Sequence, residues 1–116
     1  MNYSKMNLEE LFVALRLAAI AEYTLEDGSA QIKAVEAEGV IVREIAKREG
    51  AIEHYRALLK DPHPRIKLRA ALGIKKVDPP GAMRVFKELV DSRALGGVPT
   101  TALQELMVME KKDITI

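Results

Sequence analysis

Apolar positions in this chain recur every three or four residues. No window combines apolar–polar alternation with β-branched enrichment, so the pattern predicts helices throughout and no strands. In the first helix, Leu8, Leu11, Phe12, Leu15 and Ala19 mark the main buried stripe. Val13, Leu17 and Ile20 add a second face, so this helix is apolar over more than half its circumference and calls for neighbours on two sides. Asn7, three residues before Glu10, forms a capping box at its start, and Gly28 is its expected stop after about Asp27.

The same periodicity predicts five more helices. Ser29 caps a second one, running to about Glu49, with Ile32, Val35, Val42, Ile45 and Ala46 inward. Gly39 inside it either costs about 1 kcal/mol or permits a close helix crossing. Past Gly50, a shorter helix carries Ile52, Tyr55, Leu58 and Leu59 and stops at Asp61-Pro62. Pro64 then suits a first helical turn, with His63 near the cap and Ile66, Ala70, Ile74 and Val77 on one face. Asp78 caps a fifth helix that Pro79 begins, striped by Ala82, Val85, Phe86, Leu89 and Val90. Pro99 opens a sixth, with Leu103, Leu106 and Met107 inward, and the terminal "KKDITI" is expected to fray. Short turns between helices imply antiparallel neighbours.

An internal echo runs at an offset of 31: Tyr55 matches Phe86, Leu58 matches Leu89, Leu59 matches Val90, Ala71 matches Ala102, and Leu72 matches Leu103. That period suits two-helix solenoid units. The stretch "LLKDPHPRIKLRAALGI" resembles the middle of a HEAT-type repeat, whose pattern falls on Leu58, Leu59, Asp61, Pro62, Ile66, Lys67, Ala70 and Ala71. Lys67 stands where that family usually has arginine, which removes bidentate recognition at this position. The plan as a whole resembles a group of small bacterial proteins known chiefly as a domain of unknown function.

The resemblance implies an all-α, HEAT-like stack of about three antiparallel hairpins, a right-handed α-superhelix forming one domain over residues 1–116. Residues 7–49 would form an N-terminal helical pair, 50–77 a HEAT-like unit, 78–111 a degenerate second unit and 112–116 a tail. It also implies a protein-binding scaffold, with neutralisation of a toxin-like partner as one specific role. The motif itself is explained by packing: the Asp-Pro turn separates two helices, the Ala70-Ala71 pair lets them approach, and Ile66 and Ile74 seal the layer.

Composition narrows the function classes. A chain of 116 residues with 48% hydrophobic and 30% charged residues is typical of a soluble globular domain. Without cysteine there are no disulfides, thiolate metal sites or cysteine nucleophile, which suits a reducing cytoplasm. "LFVALRLAAIA" has acidic Glu9 and Glu10 where a secretory segment is basic, and Arg16 interrupts its apolar run, so it reads as a buried helix. Asn and Gln number only four beside plentiful Glu, Lys and Arg, a composition found in heat-adapted proteins.

The net charge of +1 conceals a dipolar chain: residues 43–93 hold thirteen basic and seven acidic residues, and residues 1–42 hold three and seven. Within the basic segment, Arg65, Arg69 and Lys76 fall on one helical face with Lys67 and Lys75 flanking, and these five are the candidate partner-binding residues. The same stripe offers nucleic-acid binding through residues 65–76 as the alternative, and the plain reading is a solvated helix face. No Trp and only 4% aromatics leave few platforms for stacking bases.

Enzymatic chemistry finds no support. His54 and His63 fit no metal-ligand spacing, and a site using both with Glu53 or Asp61 would be needed to hold zinc. Ser4, Ser29 and Ser92 lie near helix ends, where hydroxyls cap. "LGGVPTT" leads glycines into a helix start but lacks the lysine of a phosphate loop. Glu36 and Glu38 cannot share a helix face, Glu22 and Glu26 can, and both pairs read as solvated. The expectation is a non-enzymatic scaffold without cofactor or metal, binding a protein partner, keeping clear of membranes, and able to form a homodimer through its doubly apolar first helix.

Overall fold

Helix starts in this protein are written in caps. The computed structural model describes residues 2–24, 28–94 and 97–114, apart from the side chains of 22–24 and 112–114. A single 3-10 turn (Tyr3–Lys5) precedes helices α1 (Leu8–Thr24), α2 (Gly28–Ile45), α3 (Ala51–Leu58), α4 (Pro64–Ile74), α5 (Pro79–Asp91) and α6 (Val98–Ile114), and no strand occurs among the described residues. The all-α expectation holds. The chain divides into two compact units, Met1–His54 and Tyr55–Ile116, and the division falls inside α3.

In the first unit, the α1 capping box forms as expected. The Asn7 Oδ1 accepts the Glu10 N–H at 2.8 Å, and Glu10 Oε1 accepts the Asn7 N–H at 3.1 Å. α1 packs along α2 and buries Leu11, Phe12, Leu15, Ala18 and Ala19. Its other apolar face stays open, with Val13 61% and Leu17 65% exposed. The 3-10 turn is tied down by Arg48, just past α2, whose guanidinium donates to the carbonyls of Met6 (2.6 Å) and Ser4 (3.0 Å) and to Glu44 Oε1 (3.0 Å). His54 stacks on Phe12 with ring centroids 5.0 Å apart.

Three expectations for this unit are corrected. Gly28 is the first residue of α2 rather than the stop of α1, and Ser29 therefore lies inside α2 instead of capping it. The buried line on α2 is Glu38, Ile41 and Ile45, while Ile32 and Val35 are exposed. Two helical lines one step apart both fit the apolar residues of α2, and contact with α1 selects the one carrying the carboxylate. Finally, α2 ends at Ile45 and turns before Gly50, whose φ of +82° is the left-handed conformation glycine tolerates. The expected run of α1 on to Asp27, and the Glu22–Glu26 pairing, lie outside the described residues.

In the second unit, two proline turns set successive helices. Asp61 Oδ1 accepts the His63 N–H (2.9 Å), and His63 Nδ1 in turn accepts the Arg65 N–H (3.2 Å) as the N-cap of α4. Asp78 Oδ1 caps α5 through the Gly81 N–H at 3.1 Å. Both prolines sit in first turns, as predicted. α5 packs against both α4 and α6, and α4 also reaches α6. Ile66, Leu68, Ala70, Ala71 and Ile74 of α4, Ala82, Phe86 and Leu89 of α5, and Val98, Ala102 and Leu106 of α6 are buried.

Small residues make these approaches possible. A Cβ on Gly73 would lie 2.6 Å from the Tyr55 ring, so this glycine lets the aromatic of α3 rest on the α4 backbone. On α6 the buried line is Val98–Ala102–Leu106, and the expected Leu103 and Met107 are 47% and 61% exposed. The buried line has alanine at its centre, and the bulkier line stays outside. Val77 is likewise 58% exposed, because α4 ends at Ile74 and its periodicity lapses there.

Candidate functional site

The five candidate cations do not share one open face. Lys67 on α4 reaches across to α5, where its Nζ lies 2.9 Å from Glu88 Oε1. Lys75, the C-cap of α4, reaches α6 with Nζ 3.0 Å from Glu105 Oε2. Arg65 and Arg69, one turn apart, are half-buried, their Nε atoms enclosed and both side chains engaged with neighbouring groups. Lys76 stands in solvent. Position at a helix C-terminus favours Lys75 and Lys76, because the unpaired carbonyls there carry partial negative charge.

The structure brings Lys75 and Lys76 together and sets Lys67 apart. The two neighbours rim a cleft of about 420 Å³ whose walls include Pro79, Met83, Val108 and Met109, with Glu105 beside Lys75. Lys67 lines a smaller one of about 250 Å³ with Pro62, Pro64 and Glu88. The first combines a cation in solvent with an apolar wall, the pairing found where a protein side chain docks: a greasy centre within a polar rim. Val108 contributes a side chain that is 54% exposed.

A further surface lies wholly within the first unit. Met6, Val13, Ala14 and Leu17 form a shallow cleft of about 460 Å³ with Glu9 and Glu10 at its end. The Arg48 hydrogen bond to the Met6 carbonyl fixes one margin of it.

Sequence reasoning missed two residues here. Glu38, read as solvated, is 1% exposed and engaged, as a buried carboxylate must be. The signal was its spacing from Ile41 and Ile45, which puts all three on one line. Gly73 had no role assigned from the sequence, and its contact with Tyr55 spans too much sequence to be visible in a pattern. The histidines take structural places, His54 against Phe12 and His63 as a cap. Among the described residues, no three His, Cys, Asp or Glu side chains converge as metal ligands. Gly97, with φ +73°, leads into α6 at Val98, while Leu95 and Gly96 of the glycine turn lie outside the described residues. No helix among the described residues is long and apolar enough to cross a membrane.

Compared with known proteins, the chain matches no protein family, no curated protein and no solved structure.

Proposed function

We propose that this protein is a non-enzymatic, HEAT-like helical scaffold that binds a protein partner through the cleft at the end of α4. The observation that carries the reading is the cleft itself: Lys75 and Lys76 beside Pro79, Met83, Val108 and Met109. An aliphatic or aromatic anchor entering the apolar wall while an acidic group meets Lys76 would use both features. The repeat reading draws support from equivalent burial at equivalent positions, since Tyr55 and Phe86 are both buried, as are Ala71 and Ala102. Nucleic-acid binding draws less: phosphates are neutralised by cations facing solvent, and Lys67 and Lys75 are paired to carboxylates.

The test compares partner capture from host extract by the wild type, Lys76→Glu and Val108→Asp, with a labelled DNA duplex titrated in parallel at several salt concentrations. Both altered residues are exposed, so the core is untouched. The reading expects a partner retained by the wild type and lost by both variants. An unchanged set of captured proteins would overturn it, and salt-dependent duplex binding abolished by Lys76→Glu would replace it with the nucleic-acid reading.

A further inference from the structure

The two units carry opposite charge, and each has an exposed apolar surface edged by charge of its own sign. Residues of Met1–His54 include six basic and ten acidic side chains, and those of Tyr55–Ile116 include twelve and seven. The open face of α1 mirrors that division locally. Val13 and Leu17, four residues apart, project into solvent from one helix face, and Glu9 and Glu10 stand one to two turns before them. The cleft at the end of α4 presents the converse: an apolar hollow with Lys76 in solvent at its rim. The α1 surface carries acidic groups where the cleft carries basic ones, and its exposed Val13 and Leu17 side chains form a ridge beside their own shallow hollow.

We infer that the occupant of the Lys75–Lys76 cleft is a second copy of this chain, which inserts Leu17 and Val13 of α1 against Val108 and Met109 while Glu9 approaches Lys76. The inference rests on the reading of that cleft as a protein-docking site and names its partner. The contact joins two different patches, so it is heterologous: a bound pair keeps one unused ridge, on one copy, and one unused cleft, on the other, and assembly goes on as a ring or an open chain. Burial of the exposed aliphatic side chains supplies the main driving force, and the opposed charges orient the encounter and weaken with salt. Arg48 contributes at a distance by holding the Met6 carbonyl at the margin of the ridge.

Complementation tests this directly. Light scattering on the full chain, from micromolar to millimolar concentration at low salt, is expected to show a mass that rises past the dimer. Leu17→Asp alone and Val108→Asp alone should each remain monomeric, having lost the ridge or the cleft. An equimolar mixture of the two should give a one-to-one heterodimer and nothing larger, since only one intact ridge and one intact cleft can meet. Glu9→Lys should weaken assembly about tenfold at low salt, and adding Lys76→Glu to the same chain should restore it. Circular dichroism confirms that the variants keep their helices. A wild type monomeric to millimolar concentration overturns the inference, as does a mixture that stays monomeric while the wild type assembles. A monomeric wild type whose cleft variants still lose a captured partner would sink this inference and leave the docking cleft standing; unchanged capture would remove both.

Discussion

The α1–α2 unit and the α4–α5–α6 unit solve the same problem with different means. In the second, α5 has two helix neighbours, and many of the buried residues are small: Ala70, Ala71, Gly81, Ala82 and Ala102. In the first, α1 packs along α2 and buries Leu11, Phe12 and Leu15, and its second apolar face meets solvent at Val13 and Leu17. A helix with two closely packed neighbours in its unit can bury apolar side chains around much of its surface, whereas one with a single such neighbour in its unit leaves a stripe exposed. The difference teaches where to look for an interface: on the helix whose hydrophobic surface exceeds what the fold covers.

The sharpest way to break this comparison is to remove a side chain from each kind of surface. Phe86, fully buried on α5, should cost about 3–5 kcal/mol as Phe86→Ala, through lost transfer energy and the cavity left behind. Leu17→Ala, on the open stripe, should stay within about 0.5 kcal/mol in dilute solution. Urea unfolding at low protein concentration measures both. A Leu17 variant as damaging as the Phe86 one would mean that the stripe is core.

Next in size is the close packing that marks the second unit. Gly73→Ala places a methyl 2.6 Å from the Tyr55 ring, and overpacking of this kind costs about 1–3 kcal/mol. In a Tyr55→Ala background the clash is gone, and the same substitution should stabilise by up to about 1 kcal/mol because alanine is the better helix former. The reversal of sign in a double-mutant cycle is the expected result. If Gly73→Ala stabilises the wild type, the helix–ring approach is looser than the structure has it.

Caps come third, and here the two units should behave alike. Asn7→Ala and Asp78→Ala each remove the acceptor of one orphan N–H at a helix start, at about 0.5–2 kcal/mol apiece. Gly81→Ala should add to that class, since its Cβ would collide with the Asp78 carboxylate and displace the cap. Combined with Asp78→Ala it should cost little more than the cap alone. Thermal unfolding of the four variants checks the set.

Much of the fold was legible because capping is local. Asn7 with Glu10, His63 with Pro64, and Asp78 with Pro79 each act over two or three residues, and each lies where the pattern put it. The inward faces of α2 and α6 were not legible, because each helix carries two adjacent apolar lines and only a neighbour chooses between them. At Glu38 the neighbour chose the line that includes a carboxylate. The candidate site was legible in part. Lys75 and Lys76 meet at a cleft, while the i,i+4 spacing that grouped Arg65 and Arg69 gave no warning that both would be half-buried. Ion pairs such as Lys75–Glu105 join residues thirty apart, beyond any local pattern.

The smallest expected effect isolates the anchoring of the first unit. The Arg48 guanidinium hydrogen-bonds Glu44 and holds its carboxyl below the ordinary 4.5, against an opposing push from desolvation and with further help from Lys47. A carboxyl depressed in the folded state binds fewer protons there than in the unfolded chain, so its contribution is complete above about pH 4.5. As pH falls below that value the unfolded chain protonates first, and the contribution is gone once the folded carboxyl has protonated too. The unfolding free energies of the wild type and Glu44→Gln should therefore converge on acidification. Because Arg48 also holds the carbonyls of Ser4 and Met6, loss of the Glu44 charge should loosen its grip on the 3-10 turn. Hydrogen exchange at the Met6 amide, bonded to the Tyr3 carbonyl at 3.1 Å, should then quicken relative to core amides of α5. An acid dependence unchanged by Glu44→Gln would show that the N-terminal turn is held by the Arg48 carbonyl bonds alone.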